Sequence, residues 1–419
     1  MGMTFAEKVL AYKAGLDHVV PGQIVFVEPD HLLSHDNTAA IVGKIKDLLK
    51  EHGVVRKDLH VVVLDHVVPA ASEKNAKGHK QIREYIEQFE VEHFYDVGRG
   101  VCHQVMIEEG LALPGKLVVG SDSHTCSYGA LGCFATGVDR TEAAALILTG
   151  KTWLKVPSTI KVNISGKFQK GVSAKDLVLQ IINDIGADGA SYKAVEFHGV
   201  INNLSLSDRI TIANMGIEMG AKLAAFPVDE QTEEYLDNVA KGKQYEFIWA
   251  DSDAAYEKEL NYNLSLINPR VAKPHAVDNG AAIADIAGLK IQQCLLGTCT
   301  NGRVEDFHSA AELIKNKSIN PGVRLLLLPA SNQILETLIE DGTLSTLIRA
   351  GGVLLPVGCG PCLGAHQGAL APGEKCLSTA NRNFKGRMGC ADAEIYLASP
   401  ESVAAAAITG EVTDPRTLL

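Results

Sequence analysis

Residues 295–303 read Leu-Leu-Gly-Thr-Cys-Thr-Asn-Gly-Arg, and residues 358–364 read Gly-Cys-Gly-Pro-Cys-Leu-Gly. These two glycine-rich stretches hold three cysteines, Cys299, Cys359 and Cys362. A Cys-x-x-Cys turn presents two sulfurs to one centre, and a remote third cysteine can close the same centre from another loop. Three thiolates can hold a cubane iron–sulfur cluster and leave its fourth iron open to water or substrate. The pattern therefore indicates a metal centre with Lewis-acid character.

Two other interpretations of these cysteines stay open at this point. The run Cys359-Gly360-Pro361-Cys362 also has the spacing of the redox dithiol in thioredoxin-like proteins. A structural zinc site uses the same ligand type, but it usually contains a second close Cys or His pair, and no such pair includes Cys299. Residues elsewhere in the chain must decide among a cluster, a dithiol and a zinc ion.

Composition narrows the class of protein. A chain of 419 residues is long enough for two or three domains that each bury a core. Its 39 basic and 50 acidic residues give a net charge of −11, which argues against nucleic acid or an anionic membrane as partner. Nine cysteines without a regular framework favour a reducing compartment, and no targeting or membrane-spanning stretch is visible. We therefore expect a cytoplasmic protein.

Short β-branched runs alternate with helical patterns, which predicts an α/β fold with parallel-rich sheets covered by helices. The predicted strands are His60–Leu64, Glu92–Val97, Lys116–Val119, Thr159–Ile164, Glu246–Trp249, Val323–Leu328 and Val353–Leu355. The predicted helices are Glu73–Phe89, Arg140–Thr149, Ala174–Ile185, Asp208–Met219, Asn332–Asp341 and Pro400–Thr409. Prolines at 157, 269 and 274 interrupt this alternation and predict three α/β domains, at 1–156, 157–273 and 274–419.

Ionisable residues follow several of the predicted strands, where α/β sheets place their ligands. Asp65-His66 ends one strand, His103 lies in residues 100–104, and the stretch 120–125 reads Gly-Ser-Asp-Ser-His-Thr. A carboxylate beside an imidazole sets the tautomer of the histidine and keeps its proton available for general acid catalysis. A lone histidine of this kind is more often structural, but three such clusters favour catalysis.

Two later segments add polar groups. Asn214 and Glu218 lie four residues apart and so share one face of the predicted helix, although Asn214 could equally cap or bend that helix. Residues 381–387, Asn-Arg-Asn-Phe-Lys-Gly-Arg, place two arginines in a short loop. An arginine fork suits a carboxylate, and an ordinary basic surface loop has the same composition.

Taken in order, residues 298–301, 359–364 and 381–387 resemble the motifs of the aconitase superfamily, and most closely its short 3-isopropylmalate dehydratase large-subunit branch. The resemblance extends over essentially the whole chain. It implies a hydro-lyase that isomerises 3-isopropylmalate and 2-isopropylmalate by reversible dehydration in leucine biosynthesis. Homoaconitate and a dimethylmalate or citraconate-type acid are the alternative substrates that it allows.

The resemblance also implies roles for the matching residues. It implies one four-iron, four-sulfur (4Fe-4S) cluster with an open iron, bound by Cys299, Cys359 and Cys362. The implied catalytic residues are Asp65, His66, His103, Asp122, His124 and Glu218, with His66 as the acid for the departing hydroxyl. The implied substrate-binding residues are His35, Ser123, Arg382 and Arg387, and the implied hydrogen-bond donors to the cluster are Asn214 and Asn381. His35 departs from the glutamine that aconitases proper carry.

These motifs do not include a base for the carbon acid. In aconitases that base is a serine on a fourth, mobile domain, and this chain stops soon after the predicted third domain. The resemblance therefore implies a separate small subunit that carries this swivel domain and the base, without which the chain is inactive. An RNA-binding protein and a zinc or dithiol protein are the alternatives from other classes. The acidic net charge weighs against the first, and a colourless protein without acid-labile sulfide would indicate the second.

Overall fold

Parallel strand pairing dominates the computed structural model, which describes residues 2–364 and 367–419. Three of its sheets are wholly or mostly parallel, and helices separate their strands along the chain. The predicted α/β class is therefore confirmed. None of the helices formed by the described residues combines the length and the apolar composition that a membrane crossing needs.

The N-terminal part of the chain forms a five-stranded sheet. Its elements are α1 (Phe5–Ala14), β1 (Ile24–Val27), β2 (His31–Ser34), α2 (Thr38–Lys44), α3 (Lys46–His52), β3 (His60–Val63), α4 (Glu73–Phe89), β4 (His93–Tyr95), α5 (Cys102–Glu108), β5 (Leu117–Gly120), β6 (Phe134–Gly137), α6 (Arg140–Thr149) and β7 (Thr152–Lys155). The strand order is β4-β3-β2-β5-β6 with every pair parallel, while β1 and β7 form an antiparallel ribbon. Every residue of β3 is buried, as expected for a parallel strand covered on both faces.

The middle of the chain forms a four-stranded parallel sheet. Its elements are β8 (Thr159–Ser165), α7 (Ala174–Ile185), β9 (Ala194–Gly199), α8 (Leu206–Asn214), β10 (Leu223–Ala225), α9 (Glu230–Val239) and β11 (Lys258–Asn263). The strand order is β10-β9-β8-β11. A capping box at Ser205 starts α8, which ends at Asn214.

The C-terminal part forms a seven-stranded sheet. Its elements are β12 (Arg270–Ala272), β13 (Gly280–Ala282), β14 (Gln293–Gly297), α10 (Val304–Ile314), β15 (Arg324–Leu328), α11 (Asn332–Glu340), α12 (Thr343–Arg349), β16 (Val353–Leu354), β17 (Lys375–Ser378), β18 (Glu394–Leu397) and α13 (Pro400–Thr409). The order is β13-β12-β18-β17-β14-β15-β16, and β12 runs antiparallel to both of its neighbours. The division into three domains at the predicted residue boundaries stays a prediction.

Two predicted elements are wrong. Residues 246–249 form no strand, because the segment lies as irregular chain against α1, where the Trp249 ring packs 5.3 Å from that of Phe5. The predicted helix Asp208–Met219 is not continuous, because α8 ends at Asn214 and the chain tightens into a 3-10 turn over Met215–Met219. The Ala224 methyl lies 2.6 Å from where a Cβ on Gly216 would be, so β10 packs closely against this turn.

Candidate active site

The predicted site residues follow the carboxyl ends of parallel strands in two sheets. His35 follows β2, Asp65 follows β3 and Asp122 follows β5, whereas Cys299 follows β14 and Asn381 follows β17. A hydrogen bond of 2.8 Å from the Cys359 backbone N–H to the Asp65 carbonyl joins the two sets. Open parallel sheets bind their ligands at these strand ends, so the arrangement forms one crevice between the sheets.

Asp122 lies at the centre of a group of histidines. Its carboxylate is 2.8 Å from the Nε2 of His103, 3.6 Å from the Nδ1 of His124, 3.6 Å from the Nε2 of His66 and 3.9 Å from the Nε2 of His35. Burial alone raises the pKa of Asp122, but His103, His124 and His66 together hold it well below its usual value. Asp122 therefore stays ionised and stabilises positive charge on the imidazoles around it.

His66 is built to carry a proton. Its Nδ1 lies 2.6 Å from the Asp65 carboxylate, whose other oxygen accepts the Cys102 backbone N–H at 2.7 Å. Burial lowers the pKa of His66, but Asp65 and Asp122 raise it well above its usual value. The ring stacks on that of His35, with centroids 3.6 Å apart and planes 13° apart. Burial and the charge of His66 lower the pKa of His35 to about 4, so the pair holds one imidazolium and one neutral imidazole.

Glu218 connects a histidine to an arginine. Its Oε1 lies 2.9 Å from the Nε2 of His124 and accepts a hydrogen bond of 2.7 Å from the Nε of Arg382. Burial lowers the pKa of His124, but its hydrogen bonds with Asp122 and Glu218 raise it overall. The Ser123 hydroxyl lies 3.5 Å from the Nδ1 of the same histidine. The broken helix therefore still delivers Glu218 to the predicted place.

Two of the three predicted cysteines, Cys299 and Cys362, share the partner Asn381. The Asn214 amide donates to the Cys299 sulfur at 3.3 Å, and the Asn381 amide donates to the same sulfur at 3.4 Å. The Asn381 side-chain oxygen lies 3.7 Å from the Cys362 sulfur, so one amide contacts thiols from both cysteine loops. All three thiols are free, and N–H donors around sulfur are typical of the surroundings of a metal-bound thiolate.

The three thiols differ in charge state. Burial and the neighbouring Cys362 raise the pKa of Cys299 to about 12. The hydrogen bond between the other two thiols raises the pKa of Cys359 and lowers that of Cys362, which Arg387 at 3.7 Å lowers further. A bound cation would displace the remaining protons, since only the thiolate ligates a metal.

The spacing of the sulfurs separates a cluster from a single zinc ion. A tetrahedral zinc with Zn–S bonds of about 2.3 Å needs its sulfurs about 3.8 Å apart. Among the described residues, two groups of ligand atoms lie within 4.8 Å of one another, one of four residues and one of three. Both consist of histidines and carboxylates, and the three cysteines do not form such a group. The donor chemistry and the wider spacing fit an iron–sulfur cluster.

Comparison with known proteins agrees with this geometry. The Aconitase family (aconitate hydratase) matches residues 7–287 and 282–410. The chain belongs to the aconitase family. The match spans the histidine and carboxylate cluster as well as the cysteines, so the family assignment covers the whole crevice and not one motif of it.

Several aconitase-family relatives match the chain along almost its full length. The 3-isopropylmalate dehydratase large subunit 1 of Methanopyrus kandleri is 47% identical, with 100% of both chains covered. The probable methanogen homoaconitase large subunit of Methanosarcina mazei is 48% identical over 94% of this chain and 100% of its own. The homoaconitase large subunit of Thermus thermophilus is 46% identical over 100% of this chain and 98% of its own. The holo-form crystal structure of Thermococcus kodakaraensis aconitase X matches 90% of this chain and 88% of its own, with a TM-score of 0.50 and 13% identity, which supports the fold alone.

Further residues hold this aconitase-family site without having been predicted. The Tyr128 hydroxyl lies 3.0 Å from the Nδ1 of His103 and orients that ring toward Asp122. The ammonium group of the fully buried Lys175, on α7, donates to the carbonyls of Thr379 and Ala380 at 2.6 and 2.7 Å, directly before Asn381. No local pattern indicated these two residues. Asp36, in contrast, stands beside the predicted His35, and its position in the sequence could have drawn attention to it.

Proposed function

We propose that this chain is the cluster-bearing large subunit of a hydro-lyase that interconverts 3-isopropylmalate and 2-isopropylmalate. The observation that carries the proposal is the convergence of three free thiols with three imidazole–carboxylate pairs in one crevice. The proposal is further supported by full-length relatives described as large subunits of 3-isopropylmalate dehydratase.

Cys299, Cys359 and Cys362 would hold a 4Fe-4S cluster, and the amides of Asn214 and Asn381 would hydrogen-bond its sulfur ligands. When bound, the cluster supplies a Lewis-acidic iron without a protein thiolate, which shares the charge developing on a leaving hydroxyl. The glycines of both cysteine loops let the backbone pack closely, since a Cβ at Gly297 would lie 2.0 Å from the Leu328 carbonyl oxygen and one at Gly364 would lie 2.4 Å from the Gly389 backbone nitrogen.

His66 would protonate the departing hydroxyl. Its Nδ1 is occupied by Asp65, so the proton to be transferred is on Nε2, which faces Asp122 at 3.6 Å. Transfer of this proton as the carbon–oxygen bond breaks releases water and leaves a neutral imidazole. His103 with Asp122, and His124 with Glu218, would hydrogen-bond the substrate oxygens on either side, and the Ser123 hydroxyl and the His35 ring would add further contacts.

Arg382 and Arg387 would bind a substrate carboxylate. Glu218 holds the guanidinium plane of Arg382 through its Nε, which prepares the group for a bidentate contact. The Nε of Arg387 is buried and has no hydrogen-bond acceptor among the described residues. Neutralising a carboxylate makes the proton on the neighbouring carbon more acidic, which is the second requirement of the elimination.

A base for that carbon proton would come from a small subunit. The relatives described above are named large subunits, which supports a partner for this chain. We propose that the partner carries the swivel domain, the base and most of the pocket for the variable side chain of the substrate. The large subunit alone would then bind a malate-like core without turnover.

Anaerobic reconstitution with the small subunit tests this proposal. The reconstituted protein should be brown, contain acid-labile sulfide and convert 3-isopropylmalate to an unsaturated acid that absorbs in the ultraviolet. His66→Gln should lose this activity. His308→Gln is the matched control, since His308 is half-exposed and pairs with Asp341 on the surface, and it should retain activity. A fully loaded complex that dehydrates none of the candidate acids would contradict the proposal.

The second candidate function is that of a homoaconitase large subunit. Relatives described by that name are 48% and 46% identical to the chain, as similar as the isopropylmalate enzymes. The same assay decides between them when homoaconitate and dimethylmalate are compared with 3-isopropylmalate by kcat/KM. A higher value for homoaconitate would replace the first proposal and keep the reaction class.

A further inference from the structure

Asp36 binds three successive backbone amides of the segment that carries His66. Its Oδ2 accepts the N–H groups of Asp65 and His66 at 3.0 and 2.8 Å, and its Oδ1 accepts that of Val67 at 3.0 Å. The Nε2 of His79, on α4, donates to the same Oδ1 at 2.9 Å. One carboxylate thus receives four hydrogen bonds from two elements.

We propose that Asp36 is a positioning residue that fixes the His66 ring and the Asp65 carbonyl in the reactive geometry. Among the described contacts Asp36 makes no hydrogen bond to the His66 ring, although one of its carboxylate oxygens lies within 4.8 Å of a nitrogen of that ring; its hydrogen bonds to His66 and Val67 are to the backbone. The Asp65 carbonyl then accepts the Cys359 N–H at 2.8 Å, so the same segment sets the distance between the proposed acid and the cysteine loop. Asp36 also directly follows His35 in the chain, and the His35 ring stacks on that of His66.

The chemistry of this contact requires a carboxylate. Both oxygens accept two hydrogen bonds each, whereas an asparagine would turn an NH2 group toward two donors. Burial raises the pKa of Asp36, but the hydrogen bonds from the His66 backbone and from His79 lower it to about 2. The side chains of Asp36 and His79 are 13% and 5% exposed, so water cannot easily replace the lost contacts.

Asp30 offers a matched control at the opposite end of the same strand. Asp30 directly precedes β2, whereas Asp36 lies just after that strand. The Asp30 Oδ2 accepts the Leu117 backbone N–H at 2.8 Å. Its other partners are Lys13 and Lys116, which belong to no predicted site. Asp30→Asn therefore removes a partly buried, amide-binding carboxylate without touching the crevice.

Hydrogen–deuterium exchange in the cluster-free chain tests the positioning contact itself. Asp36→Asn should speed exchange of the amides at 65–67 by about tenfold or more, because charge-assisted hydrogen bonds are lost there. Asp30→Asn should leave these amides unchanged. If Asp36→Asn does not fold, His79→Leu removes one of the four hydrogen bonds and should speed the same exchange by about threefold. Unchanged exchange in the folded variants would overturn the proposal.

Kinetics of the reconstituted complex test the consequence, and this part rests on the proposed function. Asp36→Asn should lower kcat by about tenfold or more with KM changed by less than about threefold, since the acid is displaced and the carboxylate-binding arginines are not. Asp36→Glu should recover part of kcat. An equal loss in Asp30→Asn, or a loss confined to KM, would reduce Asp36 to a structural residue. An inactive wild-type complex would refute the proposed function instead, and the exchange result would still decide the role of Asp36.

Discussion

Replacing Gly358 with alanine should separate the cysteine loop from the proposed acid. The residue has φ +150°, and a Cβ built there would lie 2.6 Å from the Asp65 carbonyl oxygen and 2.9 Å from a Val68 methyl. Ordinary contact begins near 3.4 Å, so one backbone must move by about 0.8 Å. This movement breaks or lengthens the hydrogen bond from the Cys359 N–H to the Asp65 carbonyl. Displacements of this size commonly cost about 10- to 100-fold in rate.

The assay compares turnover with cofactor content in the reconstituted complex. Cys359 and Cys362 belong to one turn, so Gly358→Ala moves both sulfurs together and should leave iron and sulfide per chain nearly unchanged. The kcat value should fall by about 10- to 100-fold. Gly373→Ala is the control, because Gly373 also has a positive φ, of +78°, but faces open space. A kcat value within about twofold of wild type, or an equal fall in the control, would refute this reasoning.

Three further outcomes are expected. Cys362→Ser should lose most of its iron, acid-labile sulfide and brown colour after anaerobic reconstitution, whereas Cys390→Ser, at a half-buried free cysteine, should keep them; equal iron in both would contradict the ligand assignment. Arg382→Lys should raise KM by about tenfold in substrate titrations, because lysine cannot contact Glu218 and a substrate carboxylate through one planar group, and an unchanged KM would argue against this role. Burial lowers the pKa of Lys175 from 10.5 to about 7. Between these two pH values the unfolded chain binds a proton at Lys175 that the folded chain does not, so the free energy of unfolding rises with pH over this range. Lys175→Met should flatten this rise by a few kcal/mol in urea unfolding of the cluster-free chain, and an identical slope would show that Lys175 is not responsible.

Local sequence predicted the acid and imidazole groups of the site better than it predicted the buried residues that hold the site in place. Asp65-His66 and residues 122–124 place acid and imidazole next to each other, so their pairing needs no long-range information. Lys175 gave no such indication, because the carbonyls that accept its hydrogen bonds lie 204 and 205 positions away and reach it only in the folded molecule. Tyr128 is a similar case, since a buried tyrosine is ordinarily a core residue and only the folded chain brings it to His103.

The same limit on local sequence information applied to the secondary structure. Helices Glu73–Phe89 and Arg140–Thr149 lie where they were predicted. The first has an apolar periodicity that extends over several turns, and the second is capped by Asp139 and Gly150. Short strands were harder to predict than these helices. β14 was missed although it leads to Cys299, since the five-residue run from Gln293 carries no period of its own, and residues 246–249 looked like a strand but found no neighbour to pair with.

The contact between the Asp65 carbonyl and the Cys359 amide joins positions 294 apart in the chain. Closing so large a loop comes late in folding, after the individual sheets have formed. During synthesis on a ribosome, the half of the crevice that contains Asp65 would therefore stay without its counterpart until the residues up to Cys359 had emerged. A cluster of the proposed kind would then be inserted after both cysteine loops have been synthesised, because its three sulfur ligands come from residues 299, 359 and 362.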